Sequence, residues 1–277
     1  MARKLAAAGR ELVLWNRDRS KAEAVARDTS GEVVDTAAEA AARAPVVVSS
    51  LADDTALESV YLGPDGLADG VRAGALVLDT STVDPDTAVR VGDAIDAAGA
   101  DFLDCPVSGS VATIESGALV VMAGGIPSLV DRARPVFEPL AKQVVRAGER
   151  GAGAACKLAV NAFLHGLNVA LSEALVLAEK AGVDRLTAYE VFAGGAAGAP
   201  FVHYKRAAYE HPEEAQTAFS LDLVAKDLDL ITGLASRVGA PMDQAHMGLD
   251  IVRRAVRAGL GGRDLSAVAV YLRREES

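Results

Sequence analysis

The chain has 277 residues, 51% of them hydrophobic, and a formal net charge of -10 from 28 Lys and Arg against 38 Asp and Glu. That length and apolar content suffice for one large or two smaller cores, while the acidic balance excludes a basic face for nucleic acid or anionic lipid but not a local basic pocket. Two distant cysteines and four histidines without ligand spacing argue against a disulfide scaffold or a metal site; with charge interrupting each long apolar run and no signal-peptide pattern, the expectation is a soluble cytoplasmic protein, off the membrane.

In chain order, MARKLAAAGR (1–10) predicts a helix and ELVLW (11–15) a strand ending at Asn16 and Arg17. Further apolar runs short enough for buried parallel strands are PVVVSS (45–50), ALVLDT (75–80), DFLDCPV (101–107), ALVVMAGG (118–125) and QVVRAG (143–148). Between them, 20–28, 36–42, 53–61, 85–98 and 128–140 carry starting caps and amphipathic spacing, and predict helices. This alternation implies a Rossmann-like α/β domain, a parallel sheet covered by helices on both faces, with ligands at the carboxyl ends of the strands. Beyond Gly151 the pattern is helical throughout: one long helix over 154–181, then 185–192, 221–238 and 242–258. The expected domains are therefore a dinucleotide-binding domain over 1–150 and an all-α domain over 151–277, serving substrate and oligomer contacts, with Gly151 and Gly153 permitting the change of direction.

In a dinucleotide-binding fold the first strand feeds a Gly-rich turn, and the turn opens the helix whose N-terminus holds the pyrophosphate. ELVLWNRD reads as the second strand of such a fold and MARKLAAAGR as the phosphate-binding helix, so the strand and glycines that precede them are not in this sequence. An edge strand behind an N-terminal helix is the alternative. Without the glycine cradle, weakened cofactor affinity is the expectation for this chain. An acidic residue at the strand end selects the ribose diol of NAD, whereas a basic one accommodates the 2′-phosphate of NADP. Here Asn16, Arg17 and Ser20, near Arg19 and Lys21, predict NADP(H) over NAD(H), with NAD still possible; Asp18 opposes this, because its carboxylate would repel the phosphate.

Three separated segments carry candidate chemistry. In FLDCPVSGS a strand ends in Ser108, Gly109 and Ser110, two hydroxyls around a residue that lets the backbone approach a small carboxylate; a plain strand-to-loop turn is the alternative. GAGAACKLAVNAF places Lys157 and Asn161 one helical turn apart, so both leave the same helix face. A lysine in such apolar surroundings is suited to proton transfer, or it snorkels from a structural helix, and His165 one turn further reads as a structural histidine. In FSLDLVAKDLDL, Lys226 and Asp227 read as the solvated face of an apolar helix, or Lys226 reaches a cofactor.

Taken together these segments resemble the β-hydroxyacid dehydrogenase family over nearly the whole chain. FLDCPVSGS with SGALVVMAGG resembles its substrate-binding signature, GAGAACKLAVN its catalytic-lysine motif and AKDLDL its C-terminal lysine motif. The resemblance implies a hydride transfer between NADP(H) and a small β-hydroxyacid or semialdehyde. Lys157 would be the acid/base, Ser108, Gly109, Ser110 and Asn161 would contact the carboxylate substrate, and Leu51, Ala52, Thr82 and Lys226 would line the cofactor. It also implies a homodimer or homotetramer. Ala52 stands where the family usually has proline, Ser110 often where it has a second glycine, and Val160 where it commonly has an asparagine, which leaves the reaction type but unsettles the substrate. Two other readings are an imine reductase, against which Lys157 argues, and a non-catalytic binding or assembly relative.

Overall fold

The computed structural model describes residues 1–274, and the chain divides into two compact units, Met1–Lys157 and Leu158–Ser277. In the first unit α1 (Ala2–Ala7) leads to β1 (Val13–Leu14), α2 (Arg19–Thr29) and β2 (Glu32–Val33). Next come α3 (Ala37–Arg43), β3 (Val46–Ser49), α4 (Asp54–Leu62), the single-turn α5 (Leu67–Gly70) and β4 (Leu76–Asp79). Then follow α6 (Pro85–Ala97), β5 (Asp101–Asp104), β6 (Val107–Ser108), α7 (Val111–Glu115), β7 (Leu119–Gly124), α8 (Pro127–Phe137) and β8 (Ala141–Gly148). Two helix starts carry the expected cap: Thr36 accepts the N–H of Glu39 at 3.0 Å and Asp53 that of Ala56 at 2.8 Å. The helix expected from Ser20 is instead capped by Asp18, which accepts the N–H of Ser20 at 3.1 Å, and the one expected from Ser128 starts at Pro127 with no side-chain cap. Pro85 and Pro127 open their helices, where a missing N–H leaves no bond unmade.

β3, β4 and β5 pair in parallel and in register, which brings Ser49, Asp79 and Asp104 side by side at their carboxyl ends. β4 is buried along its whole length because helices cover both of its faces. Val77 packs with Leu57, Tyr61, Val91, Ile95 and Phe102, and Leu76 and Leu78 pack on the opposite face with Leu103, Leu119, Val130 and Phe137. The parallel expectation holds for β1 with β2, for β3 to β5 and for β7 with β8, but β7 runs antiparallel to β5 and β6. The cause lies in the connection 109–118, which is too short for a parallel crossover, so the chain folds back on itself as β7. DFLDCPV forms β5 and β6, parted at Cys105 and Pro106, yet both run along β7 in one register, Asp104 with Gly124, Val107 with Val121 and Ser108 with Val120, and the N–H of Met122 donates to the Pro106 carbonyl at 2.9 Å. Among the described residues no ladder joins β1 to β3, yet Trp15 shares one core with Val47 and Leu12 shares the other with Val46 and Val48.

The division between units falls inside α9 (Ala152–Lys180). The second unit continues with α10 (Arg185–Gly194), α11 (Pro200–Glu210), α12 (Leu221–Val238), α13 (Asp243–Ala255), a π-helical turn at Val256–Leu260 and α14 (Ala267–Arg274). It is helical as expected, apart from one isolated bridge between Ser220 and Asp264. α11 and α14 were not anticipated; both bury aromatic or apolar side chains, with Phe201, Tyr209 and Val268 joining Leu158, Leu175, Tyr189, Val224 and Val252 in the core. Charge interrupts α9 at Lys157 and Glu173 as expected, yet the helix is long and apolar enough to cross a membrane by length and composition. In this fold it contributes Leu158, Val169, Leu171 and Leu175 to the helical core.

Candidate active site

At the carboxyl ends of the parallel strands, the turns are held by one buried carboxylate. Ser49 and Ser81 each donate a hydroxyl to Asp79 Oδ1 at 2.6 Å, and Ser81 Oγ accepts the N–H of Leu51 at 2.9 Å. Thr80 Oγ1 donates to the carbonyl of Ser49 at 2.7 Å, and the N–H of Asp84 reaches Asp54 at 2.9 Å. The loops after β3 and β4, which carry Leu51, Ala52 and Thr82, are thereby pinned to each other, with Ala52 exposed and Leu51 and Thr82 half-buried. Burial pushes Asp79 up to about 6, and the two serine hydroxyls offset only part of that.

After β1, Asn16 and Arg17 are exposed, and Asn16 Oδ1 accepts the N–H of Asp18 at 2.9 Å. Asp18 is turned into the start of α2, where Ser20 Oγ donates to it at 2.6 Å and holds its carboxyl below the usual range. The hydroxyl of Ser20 is therefore engaged in the cap. Arg19 is engaged too, with Glu23 at 3.0 Å and with Asp35. The strand end thus presents an amide and a guanidinium, while Asp18 is committed to a helix start and Asp35, after β2, is paired with Arg19. That donor set, above hydroxyl-pinned loops at parallel strand ends, fits a nicotinamide dinucleotide.

Gly109 takes φ of +145°, and a Cβ there would sit 2.6 Å from Leu119 Cδ2 and 2.8 Å from Thr113 Cγ2, so only glycine carries the chain past β7. Ser108 is half-buried at the end of β6. The Ser110 hydroxyl lies 3.1 Å from Thr113 Oγ1 and closes the loop on itself. Asp104, at the end of β5, is buried and accepts the N–H of Gly151 at 2.9 Å and that of Ala154 at 2.8 Å. Lys157 follows one turn along α9, half-buried. Burial pushes Asp104 up to about 6; its two backbone donors offset part of this and Asp79 adds to it. Burial, followed by Asp104 and Asp79, also pushes the Cys105 thiol well up, so it is an inert core thiol.

In the second unit Asn161 is buried, and its Nδ2 donates to Asp227 Oδ2 at 2.6 Å. His165 Nε2 lies 3.4 Å from the same oxygen and its ring stacks on Phe219, while Lys226 Nζ is 2.8 Å from Asp227 Oδ1. Burial alone would raise Asp227, but His165 and Lys226 more than reverse it and hold the carboxyl below its ordinary value. Reading Asp227 as part of a solvated face is corrected here: it is fully buried. The spacing held the clue, since Asp227 lies in the i, i+3, i+4 register of Val224 and Ile231. His165 does occupy the core, although its Nδ1 is buried without a partner. Asp79 and Asp104 were equally missed as organising residues; each is the buried last residue of its strand, behind Leu78 and Leu103. Among the described residues no cluster of potential ligands could hold a metal ion.

Comparison with known proteins follows the same division. Residues 1–148 match the family described as the NAD binding domain of 6-phosphogluconate dehydrogenase, and residues 151–272 that described as NAD-binding of NADP-dependent 3-hydroxyisobutyrate dehydrogenase. Glyoxylate/succinic semialdehyde reductase 1 of Arabidopsis thaliana is 31% identical over 269 residues, covering 96% of this chain and 92% of its own. The chloroplastic reductase 2 of the same plant is 31% identical over 282 residues, 100% of this chain and 77% of its own. A Mycobacterium tuberculosis 3-hydroxyisobutyrate dehydrogenase, solved with L-serine, superposes with a TM-score of 0.85 at 30% identity over 98% of this chain and 94% of its own.

Proposed function

The chain belongs to the β-hydroxyacid dehydrogenase family, and from that premise we propose that it interconverts a small β-hydroxyacid and its semialdehyde with NADP(H), using Lys157 as acid/base. It is an oxidoreductase acting on CH–OH groups with a nicotinamide cofactor. When bound, the cofactor supplies hydride to the carbonyl carbon or takes it back from the alcohol. Lys157 gives its proton to the developing alkoxide in reduction and removes the hydroxyl proton in oxidation. Ser108 and the open backbone at Gly109 receive the substrate carboxylate, and Ser110 keeps that loop closed. Asn161 turns its remaining amide groups to a substrate oxygen.

The observation that carries this reading is the environment of the α9 pair: Lys157 is half-buried, and Asn161, one turn on, has its amide fixed by a buried carboxylate. A merely solvated helix face would carry neither feature. Lys157→Ala is expected to lower kcat by about 10² to 10⁴-fold with NADPH affinity kept, and near-full turnover would remove Lys157 from the mechanism. Exposed Arg17, with Asp18 committed to its cap, favours the 2′-phosphate, with Leu51, Ala52, Thr82 and Lys226 along the rest of the cofactor. Arg17→Ala is expected to weaken NADPH binding about tenfold more than NADH binding, read from the two Kd values. Phe163 and Leu177, 74% and 72% exposed on α9, favour a homo-oligomer, which light scattering tests.

A further inference from the structure

Helix α9 starts at a residue that cannot cap it. Gly151 has φ of +88° and no side chain, so the N–H groups of the first turn need an acceptor from elsewhere. Asp104 supplies it from the end of β5, one oxygen to Gly151 and the other to Ala154. Two glycines make room for that carboxylate. A Cβ at Gly124 would run into it, and one at Gly153 would stand 2.8 Å from Asp104 Oδ2 and 2.5 Å from the carbonyls of Asp104 and Met122. Asparagine could serve only one of the two N–H groups, because its amide nitrogen would face the other donor.

The arrangement carries a cost. A carboxylate 1% exposed and raised to about 6 is ionised at neutral pH against its burial, and an apolar residue would sit better beside its buried neighbours Phe102, Leu103 and Cys105. What an apolar residue cannot do is hold the first turn of α9. The same strand, past Pro106, becomes β6 and ends in Ser108 and Gly109, while Ala154 lies one turn before Lys157. One side chain therefore joins the two first-unit segments to which the reaction has been assigned.

We propose that Asp104 is a positioning residue, which caps α9 across the fold and so sets Lys157 relative to the Ser108–Gly109 segment. The proposal rests on the reading of Lys157 given above. The test uses the full chain with Asp104→Asn and, as a second perturbation of the same contact, Gly153→Ala. Hydrogen exchange resolved to the Gly151–Ala154 amides reads the cap, NADPH fluorescence titration reads cofactor binding, and NADPH oxidation with succinic semialdehyde reads turnover. Asp104→Asn is expected to speed exchange at those amides at least tenfold, leave the NADPH Kd within about twofold and lower kcat by about 10- to 100-fold, the range for a misplaced reacting group. Gly153→Ala, whose Cβ also meets the carbonyls of Asp104 and Met122, is expected to speed exchange at the same amides by at least as much.

Unchanged amide exchange in Asp104→Asn would overturn the cap. Faster exchange with parental kcat would overturn the positioning role, as would a kcat loss fully explained by weaker NADPH binding. Lys157→Ala run in parallel separates the two claims. If it retains turnover, the acid/base reading has failed and the positioning of Lys157 falls with it, while the amides still decide the cap. If the parent chain shows no turnover with this substrate, amide exchange decides the cap for or against.

Discussion

Asp79 and Asp104 in the first unit are buried among serine hydroxyls and backbone N–H groups, whereas Asp227 and Asp264 in the second are buried against cations. Asp264 takes Lys205 Nζ on both oxygens, at 2.9 and 2.7 Å, together with the N–H groups of Ala218 and Ser266 at 3.0 and 3.2 Å. The outcomes have opposite sign. Burial raises the first pair to about 6 despite two or more hydrogen bonds each. Burial pushes on the second pair as well, but Lys205 at one, and His165 with Lys226 at the other, hold both carboxyls below their ordinary value. Neutral donors satisfy the geometry of a buried carboxylate without returning its full hydration energy; an adjacent positive charge returns more than was lost. The first unit therefore keeps its acids at a cost where they organise strand ends, and the second uses its acids as ties between helices.

The sharpest way to break this contrast is Lys205→Met, which leaves Asp264 buried without its cation. A loss of about 3 to 5 kcal/mol in urea unfolding is expected, and a loss under about 1 kcal/mol would show that the backbone donors suffice. Next in size is one substitution made in both units. Asp227→Asn is expected to cost about 1.5 to 3 kcal/mol, because Lys226 loses its partner charge and the single remaining acceptor oxygen cannot serve both Lys226 and Asn161. Asp79→Asn at pH 7.5 is expected to stay within about 1 kcal/mol of the parent or to rise above it, since the cost of ionising that acid disappears. Equal losses at the two positions would erase the distinction.

The smallest effect is the pH response, and its sign differs between the units. A carboxyl raised to about 6 contributes stability that is fully present below its unfolded value near 4 and is lost as pH rises through 6, so the first unit should gain protection from pH 7.5 to 5. A carboxyl held below its usual range contributes stability above about 4 that is lost only as pH falls through its lowered value, so the second unit should not change over that interval. Hydrogen exchange corrected for intrinsic rate at the two pH values reads both, with a gain of about 1 kcal/mol for each raised carboxyl expected in the first unit alone.

Much of this was legible in the residues. ALVLDT announces a buried parallel strand because a strand covered on both faces has no polar side to alternate, whereas PVVVSS is parallel but half-buried and QVVRAG parallel but mostly exposed. Thr36 and Asp53 mark helix starts by the cap each supplies. Less legible was the direction of β7: nothing in ALVVMAGG shows that it folds back antiparallel along DFLDCPV, pairing Val121 with Val107 and Val120 with Ser108. The candidate site divided in the same way. Lys157, Asn161, Ser108 and Gly109 stand out by residue type and spacing, whereas Asp104 and Asp227, which hold Ala154 and Asn161, show their roles only through partners 50 and 66 positions away.

What the residues by themselves determined is local and periodic: alternation of strand and helix to about Gly148, helices alone afterwards, and the order of the three family motifs. Such information survives in one dimension because backbone preferences and apolar period act over a turn or a strand length. The fold alone decided which acids are buried, what each accepts from, and which way β7 runs. Those depend on desolvation and on donors supplied from distant segments, and a carboxylate's energy is not defined until its surroundings have closed around it.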